Sequence, residues 1–189
     1  MADKFQNKYR IPSARLPNWD YGSNAAYFVT ICTKDRKHFF GDIVDEQMQL
    51  SEIGKIAESE WLKTPQIRPD MNLEMGEYVV MPNHFHGIII IGKNEFNTQH
   101  IADGDARRDA IHCVSTETPN KFGPQSKNLA SIIRGYKSAV TKYATINNII
   151  FAWQSRFHDH IIKDEKSFQN ISAYIANNIV NWSADQFFK

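Results

Sequence analysis

Three absences narrow the classes of protein to which this 189-residue sequence can belong. Its two cysteines, Cys32 and Cys113, form no CxxC pair, which argues against a disulfide framework or a cysteine zinc knuckle. The longest apolar run lies between Gly87 and Gly92, far short of the roughly 20 residues that span a bilayer. The polar N-terminus has no secretory apolar region. We therefore expect a soluble, cytoplasmic protein without a membrane partner.

The sequence also has little net charge, +1 from 22 basic and 21 acidic residues, which excludes a uniformly basic surface for nucleic acid. Charge is nevertheless segregated along the chain. The segment from Lys121 to His158 contains no acidic residue, whereas Asp42 to Glu60 is acidic with only Lys55 in opposition. The basic segment is either a surface for a polyanion or an ordinary solvated helix face.

Hydrophobic residues make up 42% of the chain, enough for a core, and the length predicts one domain, 1–189, with its core at about 26–182. Periodicity predicts strands at 26–33, 73–81, 84–91 and 151–162 and helices at 51–63, 127–144 and 167–182, the first and last capped by Ser51 and Ser167. The segment 93–125 has no pattern and is expected to be a mobile functional loop or disordered.

The order β-α-β-β-α-β-α predicts an α+β fold of the ferredoxin-like type. This fold is a split βαβ arrangement with an antiparallel four-stranded sheet, to which an extra C-terminal helix is added here. Two helices on one face would leave the other face of the sheet open for a functional site.

Two histidines flank Phe85 on the third predicted strand. Because side chains alternate along a strand, His84 and His86 share one face and are well placed to bind one metal ion. Ordinary hydrogen-bonded histidines are the alternative. A second pair, His158 and His160, means that the pattern alone does not single out a site.

The last predicted helix has a tyrosine and an asparagine beside its apolar stripe. Tyr174 and Asn178 are four residues apart and therefore neighbours on a helix. A tyrosine at the edge of the core with its hydroxyl in water is the alternative interpretation. Tyr136 belongs to the apolar stripe of its own helix and is predicted to lie in the core.

The segments YVVMPNHFHGII, WQSRFHDHII and YIANN resemble single-tyrosine HUH transposases of the insertion-sequence-200 type, and above all their REP-associated tyrosine transposase branch. The resemblance extends over most of the chain. It implies that Tyr174 on the C-terminal helix is the nucleophile and that His84, His86 and Asn178 bind a divalent metal. These ligand types suit magnesium, manganese or zinc, of which the first two are favoured.

The same resemblance implies a DNA transposase that binds single-stranded repeat or hairpin DNA and cleaves and rejoins it through a covalent 5′-phosphotyrosine. His160 or Asp159 would assist proton transfer or metal binding, or have a plain structural role. The expected contacts to DNA phosphates are Lys127, Arg134, Lys137, Lys142 and Arg156. A homodimer and a monomer are both compatible with the sequence.

Two other classes of function remain open. One is a catalytically silent, domesticated protein that only binds DNA hairpins, for which the basic segment would suffice. The other is a small-molecule metallohydrolase that uses His84 and His86 together with His158 or His160 in an enclosed pocket. The distance from the Tyr174 hydroxyl to the first imidazole pair is the observation that separates these classes.

Overall fold

A four-stranded antiparallel sheet organises the part of the chain that the computed structural model describes, residues 15–16, 19–98, 126–185 and 187–188. The strands are β1 (Ala25–Cys32), β2 (Gly41–Val44), β3 (Gln47–Leu50), β4 (Leu73–Met81), β5 (His84–Ile91) and β6 (His158–Ile162). The helices are α1 (Glu52–Leu62), α2 (Thr64–Ile67), α3 (Leu129–Ile146) and α4 (Glu165–Ala176). The sheet order is β4-β5-β1-β6, and β2 and β3 form a separate hairpin.

The mixed α/β fold with an antiparallel four-stranded sheet is thus as expected from the sequence. Most of the predicted loop, from residue 99 to 125, lies outside the described residues. None of the helices in the described ranges is long and apolar enough to cross a membrane.

Helices α1 and α3 cover one face of the sheet, which we call the helix-covered face. The Ser51 hydroxyl caps α1 by accepting a hydrogen bond from Gly54 N at 3.1 Å, and Asn128 with Ser131 forms a capping box on α3. The core on this face is apolar and includes the fully buried Trp61. Burial of such large side chains is the main source of stability.

Gly87, which directly follows the histidine pair, is required by this core. A Cβ atom at Gly87 would lie 2.4 Å from the Trp61 ring, closer than two carbon atoms can approach. The absence of a side chain therefore lets the indole lie on the middle of β5, behind His86.

The opposite face, which we call the histidine face, is also covered, and this corrects the expectation of an open sheet surface. Helix α4 packs there through Ile175, and the C-terminal segment 182–188 adds Trp182 and Phe187. The imidazoles of His84 and His86 lie beneath this layer, with 0% and 1% of their surfaces exposed.

Three further differences concern the ends of elements. The predicted strand 151–162 is a strand only at β6, and the residues before it run irregularly past the end of β1, where Trp153 bridges Thr33. Helix α4 begins earlier than predicted, because Asp164 rather than Ser167 is its N-cap. It ends at Ala176, so Asn178 lies in the turn that follows the helix.

Candidate metal and tyrosine site

The two imidazoles lie side by side at the start of β5, with their ring centroids 4.5 Å apart. Strand β5 is flanked on both sides: His84 pairs with Cys32 and Met81, and His86 pairs with Thr30 and Val79. The predicted alternation is therefore observed, since Phe85 points into the core of the helix-covered face.

Hydrogen bonds orient both rings. Asn83 Oδ1 lies 2.9 Å from His84 Nδ1, and because an amide oxygen only accepts, this nitrogen donates. Thr30 Oγ1 lies 2.8 Å from His86 Nδ1. Because Nδ1 of His84 donates, the Nε2 atom of this ring is left as an acceptor or ligand.

Both imidazoles are held in the neutral form. Burial, followed by the charges of His86 and Arg36, lowers the pKa of His84 to about 2. Burial also lowers the pKa of His86 to about 4. A neutral imidazole has the lone pair that a metal ion requires, so the pair is suited to metal binding at physiological pH.

The Tyr174 hydroxyl reaches this pair from α4. Its oxygen lies 3.3 Å from His86 Nε2, and Phe28 packs against both the tyrosine and the histidine rings. The ring is 43% exposed although its hydroxyl faces the imidazoles. Burial and the negative charge of Asp185 raise the pKa of the phenol, and a hydrogen bond from Asn178 opposes that increase.

Asn178 is buried beside the tyrosine, with 2% of its surface exposed. Its Oδ1 atom and His84 Nε2 are both buried without a hydrogen-bond partner among the described residues. An unpaired buried polar atom is costly, typically about 1–3 kcal/mol. Each of these two atoms therefore requires a partner, and a bound cation is one that would serve both a ring nitrogen and an amide oxygen.

Asp185 also belongs to the cluster, and the sequence analysis missed it. One ligand atom each of His84, His86 and Asp185 lies within 4.8 Å of the others. Its carboxylate also accepts a hydrogen bond from Phe187 N at 2.6 Å. Asp185 stands in a segment without helical or strand periodicity, so no sequence pattern links it to the histidines.

Phe187 forms the roof of the site and was likewise missed. Its ring centroid lies 4.5 Å from that of His84, and its carbonyl oxygen accepts a hydrogen bond from Asn83 Nδ2 at 2.9 Å. The Arg36 guanidinium stacks on the same ring at 4.5 Å. The C-terminal segment is therefore anchored directly over the imidazole pair.

These residues fit a divalent metal ion. The donor atoms that lie within 4.8 Å of one another are two imidazole nitrogens and a carboxylate oxygen, and the buried His84 Nε2 otherwise lacks a partner among the described residues. A mixed nitrogen and oxygen set of this kind is compatible with manganese, magnesium or zinc.

The two residues predicted to assist are not brought to this cluster. Asp159 pairs with Val29 on β1, so its side chain points to the helix-covered face, where it forms an ion pair with Arg15 at 3.7 Å. His160 pairs with Phe28 and shares the histidine face, but it is exposed and has no described contact with Tyr174 or the imidazoles. The second histidine pair also takes no part in the cluster found among the described residues.

Four of the five basic residues predicted to contact DNA lie on or next to α3, on the other side of the sheet. Arg134 and Lys137 are on the outer surface of α3, and Lys142 is exposed further along the same helix. Lys127 forms an ion pair with Asp70. Arg156 is exposed in the irregular segment before β6. Tyr136 of α3 is buried in the core, as predicted from the sequence.

The fold and this cluster define a class of protein, a mixed α/β protein with a buried histidine pair, an amide, a carboxylate and a tyrosine hydroxyl on one sheet face. No protein-family model matches the chain. The chain belongs to the same family as an uncharacterized protein of Haemophilus influenzae, to which it is 36% identical over 177 residues, 93% of this chain and 92% of that protein.

The chain is also a structural relative of a REP-associated tyrosine transposase whose structure was solved with a REP hairpin bound. The two structures superpose with a TM-score of 0.57 and 16% sequence identity over 93% of this chain and 77% of that one. The resemblance predicted from the sequence is thus confirmed at the level of the fold.

Proposed function

We propose that this protein is a metal-dependent, transposase-type enzyme that cleaves and rejoins single-stranded DNA, with Tyr174 as its nucleophile. The observation that supports the proposal most directly is the 3.3 Å distance between the Tyr174 hydroxyl and His86 Nε2. A tyrosine hydroxyl is a weak nucleophile at neutral pH, and it needs a neighbouring charge or base to react. Few structural roles require a half-exposed tyrosine to aim its hydroxyl at a buried histidine pair.

The proposed substrate is a DNA hairpin with single-stranded flanks. The structural relative was solved with a REP hairpin bound, and a hairpin of related kind is the natural first substrate to test. The fold, the predicted motifs and the tyrosine geometry agree in favouring this substrate class over a small molecule. His158 and His160 take no part in the cluster of His84, His86 and Asp185 found among the described residues, which weighs against the metallohydrolase.

The cleavage step transfers a phosphodiester bond from DNA to the tyrosine. The Tyr174 oxygen bonds to phosphorus, the bond from phosphorus to the 3′-oxygen breaks, and its electron pair stays on that oxygen. The phenolic proton passes to the adjoining Asp185 carboxylate, which later returns it to solvent, while a proton from solvent completes the 3′-hydroxyl. Rejoining is the reverse attack by a 3′-hydroxyl on the 5′-phosphotyrosine.

His84, His86 and Asn178 would hold the metal, with the Asp185 carboxylate close by. When bound, a divalent ion supplies positive charge that polarises the scissile phosphate. Thr30 and Asn83 keep the two imidazoles oriented for this purpose through their hydrogen bonds to Nδ1.

One observation favours a second candidate, a DNA-hairpin-binding protein without catalysis. The imidazoles are fully covered by the C-terminal segment, in which Phe187 lies over His84. A scissile phosphate could reach them only if this segment moved. If it never moves, the protein would bind DNA but would not cleave it.

The experiment is to incubate the protein with a 3′-labelled hairpin oligonucleotide and manganese and to look for a labelled adduct that survives SDS. We expect an adduct with the wild type and none with Tyr174→Phe. Tyr143→Phe is the matched control, because Tyr143 hydrogen-bonds Glu52 on the helix-covered side. An equal adduct from Tyr174→Phe would refute the nucleophile assignment, and hairpin binding without any adduct would favour the non-catalytic candidate.

A further inference from the structure

Three adjoining grooves run along the outer surface of α3 and around the end of the sheet. The first, of about 410 Å³, includes Arg68, and the second, of about 640 Å³, includes Lys137; the two share Arg134 and Ser138. The third, of about 660 Å³, includes Lys34 and Arg36 and shares Trp153 and Ser155 with the second. Since neighbouring grooves share residues, they form one continuous surface, which we call the basic track.

The charge of the basic track is strongly positive. Ion pairs with Asp159 and Asp70 neutralise Arg15 and Lys127, which line its flanks. In the described part of the chain, no carboxylate forms an ion pair with the other cations on α3 and next to it, Arg68, Arg134 and Lys137. Among the described residues, Asp35 is the one acidic residue that lines any of the three grooves. A surface of this charge attracts a polyanion.

The two guanidinium groups in the first groove reinforce this conclusion. Arg68 is held by a hydrogen bond from its Nη2 to Ser131 O at 2.7 Å. Burial and the nearby charge of Arg134 lower its pKa, which shows that the two like charges are close. Like charges held together without an acidic partner are stabilised when a phosphate lies between them.

Trp153 stands at the point where the track turns from the helix to the end of the sheet. Its Nε1 donates a hydrogen bond to Lys137 O at 3.1 Å, its ring packs against Phe40 and Tyr136, and Lys137 Nζ lies 5.7 Å from the ring centroid. The indole is therefore fixed in position while it lines both grooves. A fixed aromatic ring between phosphate-binding cations is suited to stack an unpaired base.

The third groove leads to the histidine face. Lys34 is tied to the irregular segment by its backbone, which donates a hydrogen bond to Ala152 O at 2.8 Å. Arg36 stacks on Phe187, and Phe187 covers His84. The track thus begins on the helix-covered side and ends at the roof of the tyrosine site.

We propose that the basic track binds single-stranded DNA and delivers it around the end of the sheet to Tyr174. Phosphates would lie against Arg68, Arg134 and Lys34, with a base stacked on Trp153. This inference rests on the proposed function for its destination, but it concerns binding. The basic track differs from the DNA contacts predicted from the sequence, because it includes further residues from three separate segments and does not include Lys142 and Arg156.

Binding is tested separately from chemistry by using Tyr174→Phe protein in EDTA and a fluorescein-labelled, unstructured oligonucleotide of about 16 nucleotides. We expect Arg134→Gln and Lys34→Gln each to weaken binding about fivefold and to lower the slope of log affinity against log salt by about 0.7, the value for one single-strand phosphate contact. Lys55→Gln, an equal charge change at an exposed site on α1, is the control and should change neither quantity.

Trp153→Ala should weaken binding at least about fivefold with an unchanged salt slope, because it removes a base contact and leaves the phosphate contacts in place. Circular dichroism checks its folding, since the ring also packs in the core, and the two exposed variants keep the test decisive if it unfolds. Affinities of Arg134→Gln and Lys34→Gln equal to that of Lys55→Gln would overturn the track. If Arg134→Gln and Lys34→Gln weaken binding but the wild type forms no tyrosine adduct, the basic track is supported and the proposed cleavage chemistry is refuted. If the wild type forms the adduct but these two variants bind DNA normally, the chemistry is supported and the basic track is refuted.

Discussion

Both faces of the sheet are covered, but the side chains that they bury differ in kind. On the helix-covered face, Trp61, Phe85 and Tyr136 interlock with ring centroids between 4.6 and 5.6 Å apart. On the histidine face, a smaller apolar cluster surrounds two imidazoles and an amide that are just as deeply buried. Buried groups of this kind reduce stability unless they are paired.

The two faces also differ in where their unpaired buried polar atoms, which reduce stability, are located. The helix-covered face has its own unpaired atoms, Trp61 Nε1 and Tyr136 Oη, but they belong to aromatic side chains that are mostly apolar and lie among other apolar groups. On the histidine face, His84 Nε2 and Asn178 Oδ1 belong to the one cluster that Tyr174 and Asp185 also join. Unpaired buried polar atoms among several titratable side chains are typical of a functional site.

The largest effect on stability is expected from Trp61→Ala on the helix-covered face. Removal of a fully buried indole should lower the free energy of unfolding by about 3–5 kcal/mol, measured by urea denaturation. Ile150→Ala, which truncates a side chain that is exposed, is the control and should change it by less than about 0.5 kcal/mol. A loss below 1 kcal/mol for Trp61→Ala would mean that this face is not the main core.

A smaller effect is expected from metal binding at the histidine face. Manganese at a concentration about 100 times its dissociation constant should raise the free energy of unfolding by about 2.7 kcal/mol. Asn178→Leu and His86→Leu should not be stabilised by manganese. In the absence of metal, Asn178→Leu should be nearly as stable as the wild type, since the substitution removes an unpaired buried oxygen. His158→Gln is the control because its side chain is exposed. If His86→Leu kept the full gain, the metal would bind elsewhere.

The smallest effects are expected from the two residues predicted to assist catalysis. Asp159→Asn should cost about 1 kcal/mol through its half-buried pair with Arg15, and His160→Ala less than about 0.5 kcal/mol. Neither should alter the gain from manganese, because neither contacts the metal-binding residues. If manganese stabilised either variant less than it stabilises the wild type, that residue would have the predicted assisting role, and the contrast between the two faces would be weaker.

Local sequence patterns were sufficient for the sheet and for the helices that cover it. Apolar residues at helical spacing predicted α1 and α3 to within two residues at both ends of each helix, and the N-cap at Ser51 is correct. The β2–β3 hairpin was missed because its four-residue strands are too short to establish an alternation. The segment before β6 contains aromatic residues typical of a strand, but it packs them against the core at the end of β1 instead.

The candidate site was only partly predictable for a related reason. Tyr174 and Asn178 were paired by assuming one continuous helix, whereas α4 ends between them and the turn that follows still holds Asn178 in hydrogen-bonding contact with Tyr174. Asp185 and Phe187 carry no periodic signal. Their place depends on the docking of Trp182 and Phe187 against the sheet.

The sequence by itself determined that His84 and His86 face the same way, because alternation along a strand depends only on neighbouring residues. It also determined which segments form strands and helices wherever the apolar spacing extends over several turns or pairs. Only the tertiary structure decided that a carboxylate and a phenylalanine close over the imidazoles, that Asp159 points to the opposite face, and that cations from three segments adjoin. Those outcomes arise from packing between residues far apart in the chain, which no local pattern records.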